Sequence, residues 1–530
     1  MLRAKTNRRS FRIQGENFEE PYAFVENLLM RKDVTEETAK ETLLVFEALL
    51  QRLVDWGLSK DTDLDISGED RLGEFRIRAG FEGKMFTRGD DAVFSIEDRI
   101  LDAHDDKLDY GYFSGYNVIS ISVNRSYSAS TLACMVASLL AVIVYLPLSF
   151  FADASVQEDL LANYVFPLET VYGNAMLMIG APMTFFSLLK NLTNTYVVSQ
   201  RSSGTRRLQV ETLATSVFSI LLAFAIITVM SIVLLPSFEG TSSTYGGYSN
   251  RTFADVVTSL VPSSIFDAFE AISPMPLIGV TLLCTYALCS AGKYFEPLRH
   301  AMMACYTLFS RMLHVVIAAL PVFCFLAIMD TLLDTGLEGT AEVIIMVASI
   351  YLGILLLLAT YAIRLRANGI RVIPFVRKLT PLLRENSSIG SAINAAPYNI
   401  RFCARTLKMN REMLERSLPV LAEINLDGNC FILTSLALMF TFATSTDLSW
   451  ISLIGLGMLI LFLSYGAPNQ PGSILIGTLI ITMYLNSFEM VGFAIFSEAF
   501  LGSAQNLINV IGDIVMVAIE DSKEKARAEA

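Results

Sequence analysis

Tyr465-Gly466-Ala467-Pro468-Asn469-Gln470-Pro471-Gly472 cuts an apolar segment in two. Residues 449–463 before it and Ser473 to Leu485 after it are apolar, but neither arm reaches the roughly 20 residues that a helix needs to cross a bilayer. Proline removes a backbone donor and glycine frees the chain, so a helix does not run through this stretch. Backbone without helical hydrogen bonds is tolerated at membrane depth only where protein or a wet cavity surrounds it. The segment therefore reads as a re-entrant hairpin with its tip inside the protein; an ordinary loop between two spans is the alternative. Asn386 to Pro397 has a comparable small, polar centre, Ser387-Ser388-Ile389-Gly390-Ser391-Ala392-Ile393-Asn394, and reads as another tip. Two interrupted apolar segments in one membrane domain are the pattern of transporters built from inverted repeats.

The rest of the chain supports a membrane setting. Of its 530 residues 53% are hydrophobic and 17% charged, and the mean hydropathy of +0.50 exceeds that of an ordinary soluble domain. Apolar runs begin near Ser130 and recur to about Ala518, whereas residues 1–125 carry frequent charge. Two domains are expected, 1–125 and 126–520, followed by a charged tail at 521–530. Spans are expected at 130–151, 168–189, 209–236, 274–291, 313–333 and 340–363. Lys190, Arg201, Arg206 and Arg207 follow one span and Arg364, Arg366, Arg371, Arg377 and Lys378 another, which places both loops in the cytoplasm. No apolar segment opens the chain as a signal peptide would, so residues 1–125 are expected to stay cytoplasmic. The seven cysteines stand singly and the three histidines form no ligand motif, so neither a disulfide framework nor a zinc site is suggested. The net charge of −12 argues against a nucleic-acid partner, which needs clustered Lys and Arg.

In residues 1–125 the pattern is α/β. Strands are expected at Ser10 to Gln14, Asp63 to Ile66, Glu74 to Arg78 and Asn117 to Val123, with a long amphipathic helix from Thr35 to Trp56. Glu47 and Gln51 on that helix, with Glu82-Gly83-Lys84-Met85, faintly resemble histidine-kinase-type ATPase domains. Those need an Asn where Gln51 stands and an Asp-x-Gly-x-Gly loop, which is not legible here. A regulatory or docking module that does no chemistry is the expected role.

Two acids stand in apolar surroundings: Asp427, in Ile424-Asn425-Leu426-Asp427-Gly428-Asn429, and Asp513, in Asn509-Val510-Ile511-Gly512-Asp513. Intramembrane carboxylates are costly unless they face a cavity, a partner or an ion. Asn509 and Asp513 are four apart and project from one helix face, offering amide and carboxylate oxygens that suit a hard cation. Each Asp could instead cap a broken helix or pair with an Arg. Gly428 and Gly512 favour local unwinding beside the acids.

Asn425-Leu426-Asp427-Gly428 resembles the Asn-Met-Asp-Gly signature of the dicarboxylate/amino acid:cation symporters, the family of glutamate transporters and their prokaryotic homologues. Further resemblances follow the family's order: Leu213-Ala214-Thr215-Ser216-Val217-Phe218, Val261-Pro262-Ser263-Ser264-Ile265-Phe266, the two hairpin tips, and Asn509 to Asp513 as its last-helix Asn-x-x-Gly-Asp. The resemblance covers roughly residues 130–520 and implies an α-helical polytopic fold of about eight transmembrane helices plus two re-entrant hairpins. It also implies a homotrimer in the inner (plasma) membrane, with cytoplasmic termini and lipid around it. By resemblance two or three sodium ions are carried. Asn509, Asp513 and Asn425 would hold one; Asp427, Thr215 and Ser216 would hold another. Leu426 replaces the family's Met and Glu423 its Thr; Glu423 is either a proton or cation carrier or a surface acid.

The solute would sit between the hairpin tips and the last helix. Its candidate contacts are Ser391, Ala392 and Gly466 at the tips, Asn429, and Gly502, Gln505, Asn506 and Asn509 on the last helix. Members that carry acidic amino acids have an Asp at the position of Gly502 and an Arg at that of Gln505. Without that Arg the bidentate partner of a side-chain carboxylate is gone, so a neutral polar amino acid or related solute is expected rather than glutamate or aspartate. The chain is thus expected to be a cation-coupled secondary transporter and no enzyme, working by an elevator-like shift. The alternative is a solute sensor derived from a transporter, signalling through residues 1–125.

Overall fold

The computed structural model describes residues 7–12, 18–32, 34, 36–56, 62–71, 74–83, 101, 108–113, 116–123, 127–201, 203–234, 252–270, 274–290, 296–389, 392–443, 448–466, 472–485 and 491–529. They form two compact units, Met1–Ser126 and Tyr127–Ala530.

The first unit is a two-layer α/β arrangement. Strands β1 (Asn7–Arg12), β2 (Asp63–Arg71), β3 (Glu74–Glu82), β4 (Leu108–Phe113) and β5 (Tyr116–Val123) make one antiparallel sheet in the order β1-β2-β3-β5-β4. Leu64 and Ile66, Phe75 and Ile77, and Ile119 and Ile121 are buried, the alternation of a sheet with one covered face. Helices α1 (Glu19–Met30) and α2 (Glu36–Asp55) supply the cover; Val25, Leu28, Leu29, Phe46, Leu49, Leu50 and Leu53 join the same core. On the other face Asp65 accepts hydrogen bonds from Arg8, Ser10 and the Tyr116 hydroxyl. Tyr116 reaches it across β3 because Gly80 has no side chain there: a Cβ would lie 2.6 Å from the Tyr116 oxygen. One carboxylate so ties β1, β2 and β5 together. Glu47 is exposed and Gln51 half-buried on α2, while Lys84 and Met85 lie outside the described residues.

The second unit is helical. Its elements are α3 (Tyr127–Phe151), α4 (Ala154–Leu160) with a π-turn at Leu161–Val165, α5 (Phe166–Arg201), α6 (Ser203–Leu234), α7 (Phe253–Ser259), α8 (Asp267–Glu270), α9 (Pro274–Ser290), α10 (Glu296–Ile317) and α11 (Leu320–Ala367). Among the described residues six helices are long and apolar enough to cross a membrane, or seven if α10 with the start of α11 counts as one bent span. The single span expected at 313–333 is corrected by that bend, which is 55° at Ala318–Ala319. Pro321, one residue into α11, has no backbone N–H to continue α10. Within α11, Gly336 at φ 69° breaks the helix again, a backbone state open to glycine.

The C-terminal third contains both interruptions. α12 (Val372–Ile389) and α13 (Ala392–Phe402) fold back on each other, so that the amides of Asn386 and Asn399 exchange hydrogen bonds at 2.8 and 3.2 Å. The helix runs through Ser387 and Ser388, so this tip is tighter than the expected Ser387–Asn394; residues 390–391, Ser391 included, lie outside the described set. α14 (Arg411–Ile424) and α15 (Asp427–Ala443) are separated by non-helical Asn425 and Leu426. α16 (Trp450–Gly466) and α17 (Ser473–Tyr484) form the other hairpin, with 467–471 outside the described residues. α18 (Val491–Glu529) closes the chain. The apolar stretch of α14–α15 is wholly enclosed by protein while that of α3 is mostly exposed. The enclosed helices can therefore carry polar groups that lipid would penalise.

Candidate cation and solute site

The break between α14 and α15 brings Asn425 and Asp427 against α6, α11 and α18. Asp427 is 1% exposed and opens α15, where the helix dipole favours an anion. Its Oδ2 accepts from the Tyr361 hydroxyl at 2.9 Å and its Oδ1 from Ser216 at 3.4 Å. Thr215 donates to the Asn425 Oδ1 at 3.4 Å. Asn425 Nδ2 donates to the Asp513 Oδ1 at 2.8 Å, and Asp513 is itself 3% exposed. Asn509 Oδ1 accepts from the Gly428 N–H at 2.8 Å. The structure thus gathers Ser216, Asn425, Asp427, Asn509 and Asp513, all buried, with half-buried Thr215 into one cluster whose acceptors are all oxygens. Among the described residues neither acid has a salt-bridge partner within 4.0 Å.

The two glycines do something other than the unwinding expected of them. α15 is helical from Asp427 through Gly428, and α18 runs unbroken through Gly512; the unwound residues are Asn425 and Leu426. Gly428 allows close approach instead, since a Cβ there would lie 2.5 Å from the Gln505 carbonyl oxygen and 2.8 Å from Asn509 Oδ1. At Gly512 it would meet Asn425 Nδ2 at 3.1 Å and the Tyr361 oxygen at 3.2 Å.

Directly beside the acids lies a group of amides. Asn429 Oδ1 accepts from Asn509 Nδ2 at 3.0 Å and from Gln505 Nε2, while Gln505 Oε1 accepts from the Ser473 hydroxyl at 3.2 Å. Asn506 donates to the Asn386 carbonyl of the first hairpin at 3.3 Å. Asn429 Nδ2 is buried and has no hydrogen-bond partner among the described residues, a donor of the kind that a ligand satisfies. Gly502 is buried on the same α18 face as Gln505. Ala392 is buried in the apolar core, and Gly466 packs against α5, where a Cβ would lie 3.2 Å from Thr184 and Leu188; neither joins the amides. Glu423 is partly buried and faces Lys190 of α5 at 3.9 Å.

Tyr361, Ser473 and the Asn386–Asn399 pair were not foreseen. Tyr361 sits in a plain apolar run of α11 and Ser473 at the edge of another, so only their distant partners mark them.

Residues 128–522 match the profile described as the sodium:dicarboxylate symporter family. A C4-dicarboxylate transport protein of Stenotrophomonas maltophilia (strain R551-3) is 22% identical over 383 residues, 70% of this chain and 85% of that protein. Proteins of the same description from Deinococcus radiodurans and Xanthomonas campestris pv. campestris are each 25% identical, over 52% and 50% of this chain and 62% and 60% of their own lengths.

Proposed function

Because the chain belongs to the sodium:dicarboxylate symporter family and is therefore a multi-pass secondary transporter, not an enzyme, we propose that it carries a small polar solute together with sodium. The observation behind this is the pair of buried acids, Asp427 and Asp513, set among Asn425, Asn509, Thr215 and Ser216. Arg364 acts on Asp427 only at longer range, a buried carboxylate without a contact ion pair is costly, and a donor set of oxygens fits a hard cation. Sodium is cargo here, and two or three ions are expected.

Two chains of hydrogen bonds meet at the α14–α15 break. One joins Asp513 to Asn425 and Thr215; the other runs from the Gly428 N–H through Asn509, Asn429 and Gln505 to Ser473, the first residue of α17. A cation drawing on Asn509 Oδ1 or Asp513 Oδ1 competes with bonds that these oxygens already accept, so its arrival reorders the α14–α15 break and the amides next to it. Tyr361→Phe removes one donor to Asp427 and is expected to change sodium affinity about five- to tenfold, read by binding of radiolabelled sodium to purified protein.

For the solute, Asn429 Nδ2 calls for an acceptor and Gln505 supplies neutral groups where an Arg would meet a carboxylate. The N-terminal amides of α17, which would attract an anion, already bond Glu498. These points favour an uncharged polar end on the solute, as in a neutral amino acid. The relatives' description favours a C4-dicarboxylate instead. Reconstituted vesicles under an inward sodium gradient decide: uptake of labelled serine or glutamine unaffected by excess succinate supports the first reading, and uptake of labelled succinate that neutral amino acids do not compete for removes it.

The arginine-bearing loops support cytoplasmic termini, and the hairpins fit an elevator-like movement in a homotrimer of the inner membrane. Residues 1–125 are assigned a regulatory or docking role.

A further inference from the structure

Helix α17 lacks the means to finish its own start. Its N-cap is Gly472, at φ 99° and with no side-chain cap, and its third residue is Leu475. A capping box needs polar side chains at both positions to satisfy the two backbone donors. One carboxylate from another helix takes both: Glu498 Oε1 accepts from the Gly472 N–H at 2.8 Å, and Oε2 from the Leu475 N–H at 3.0 Å. Glu498 is 1% exposed and Leu475 fully buried. Gly472 has no alternative residue, because a Cβ would meet Ile317 at 2.8 Å and its φ excludes most side chains.

Two turns further along α18, on the same face, Gln505 accepts from Ser473. The second hairpin is therefore docked on α18 at two successive residues, Gly472 and Ser473, by side chains seven positions apart.

We propose that Glu498 is the positioning residue of the second hairpin, a cap supplied in trans that holds the start of α17 on the last helix. An ionised carboxylate suits the task because both oxygens only accept and the negative charge faces a helix N-terminus. Glutamine in its place keeps one acceptor and sets an NH2 against the other N–H. The consequence for transport rests on the proposed function, in which the solute sits between the hairpin tips and the last helix.

Hydrogen–deuterium exchange on the full-length protein tests both. In Glu498→Gln the amides of residues 472–476 are expected to exchange about ten- to a hundredfold faster than in the wild type, with those of α15 unchanged. Glu498→Asp keeps the charge at a shorter reach and is expected to fall between; it serves if the Gln variant does not fold. Unchanged exchange at 472–476 in both variants, or an equal rise across α15 and α17, overturns the assignment. Sodium alone is expected to slow exchange of 472–476 in the wild type and not in Glu498→Gln. If sodium changes nothing in the wild type, the coupling of this hairpin to sodium falls, while the contrast between wild type and variant still decides Glu498.

Discussion

Asp513→Asn is expected to weaken sodium binding about a hundredfold or more while the protein still folds. Asp513 is buried and its Oδ1 accepts from Asn425 Nδ2. Asparagine has the same shape and an oxygen that can keep this bond, so packing is preserved. The loss is the charge. Opposite charges a few Å apart interact by several kcal/mol even at an effective dielectric near 20, and about 1.4 kcal/mol is a factor of ten in affinity. Equilibrium binding of radiolabelled sodium, beside a thermal unfolding curve, measures both halves of the expectation. Unchanged sodium affinity would remove Asp513 from the proposed cation site.

Gly428→Ala tests the other requirement, that α15 and α18 approach closely. The added methyl would lie 2.5 Å from a backbone oxygen of Gln505 and 3.1 Å from the Ile508 Cβ. A carbonyl within a helix cannot swing away, so the helices must part and the bond from Gly428 N–H to Asn509 is lost. Overpacking of this kind costs about 1–3 kcal/mol, and sodium-driven uptake is expected to fall more than about tenfold. Gly457→Ala on α16 is the control, because its nearest neighbour would be Ile220 at 3.8 Å, ordinary contact distance. Equal uptake in the two variants would show that the spacing does not matter.

What could be read in advance follows from the range of the signals. The hairpins were legible because proline and glycine act on their own backbone, and the intramembrane acids because burial of charge is costly wherever it occurs. Asn425, Asp427, Asn509 and Asp513 stood out as short motifs in a family's order. Close approach was not legible: Gly428 and Gly512 were read as local breakers, whereas their contacts come from residues far along the chain. The same holds for Tyr361, whose partner is 66 positions away, and for Glu498, 26 positions from Gly472. In the first unit α2 showed through its amphipathic period. Strand β4 did not, since Asp109 and Gly111 interrupt the β-prone residues around them. Helix α1 was also missed, although Glu19 and Glu20 in its first turn and Pro21 beside them are start signals.

In the proposed mechanism sodium bound among these acids drives solute movement. Its most direct test is accumulation of a labelled solute, serine, glutamine or succinate, in vesicles carrying the purified protein under an inward sodium gradient. The predicted result is sodium-dependent uptake above the outside concentration for one of them, collapsed by a sodium ionophore and absent in Asp513→Asn. Solute that binds with sodium dependence yet never accumulates would contradict it and leave a sensor in its place.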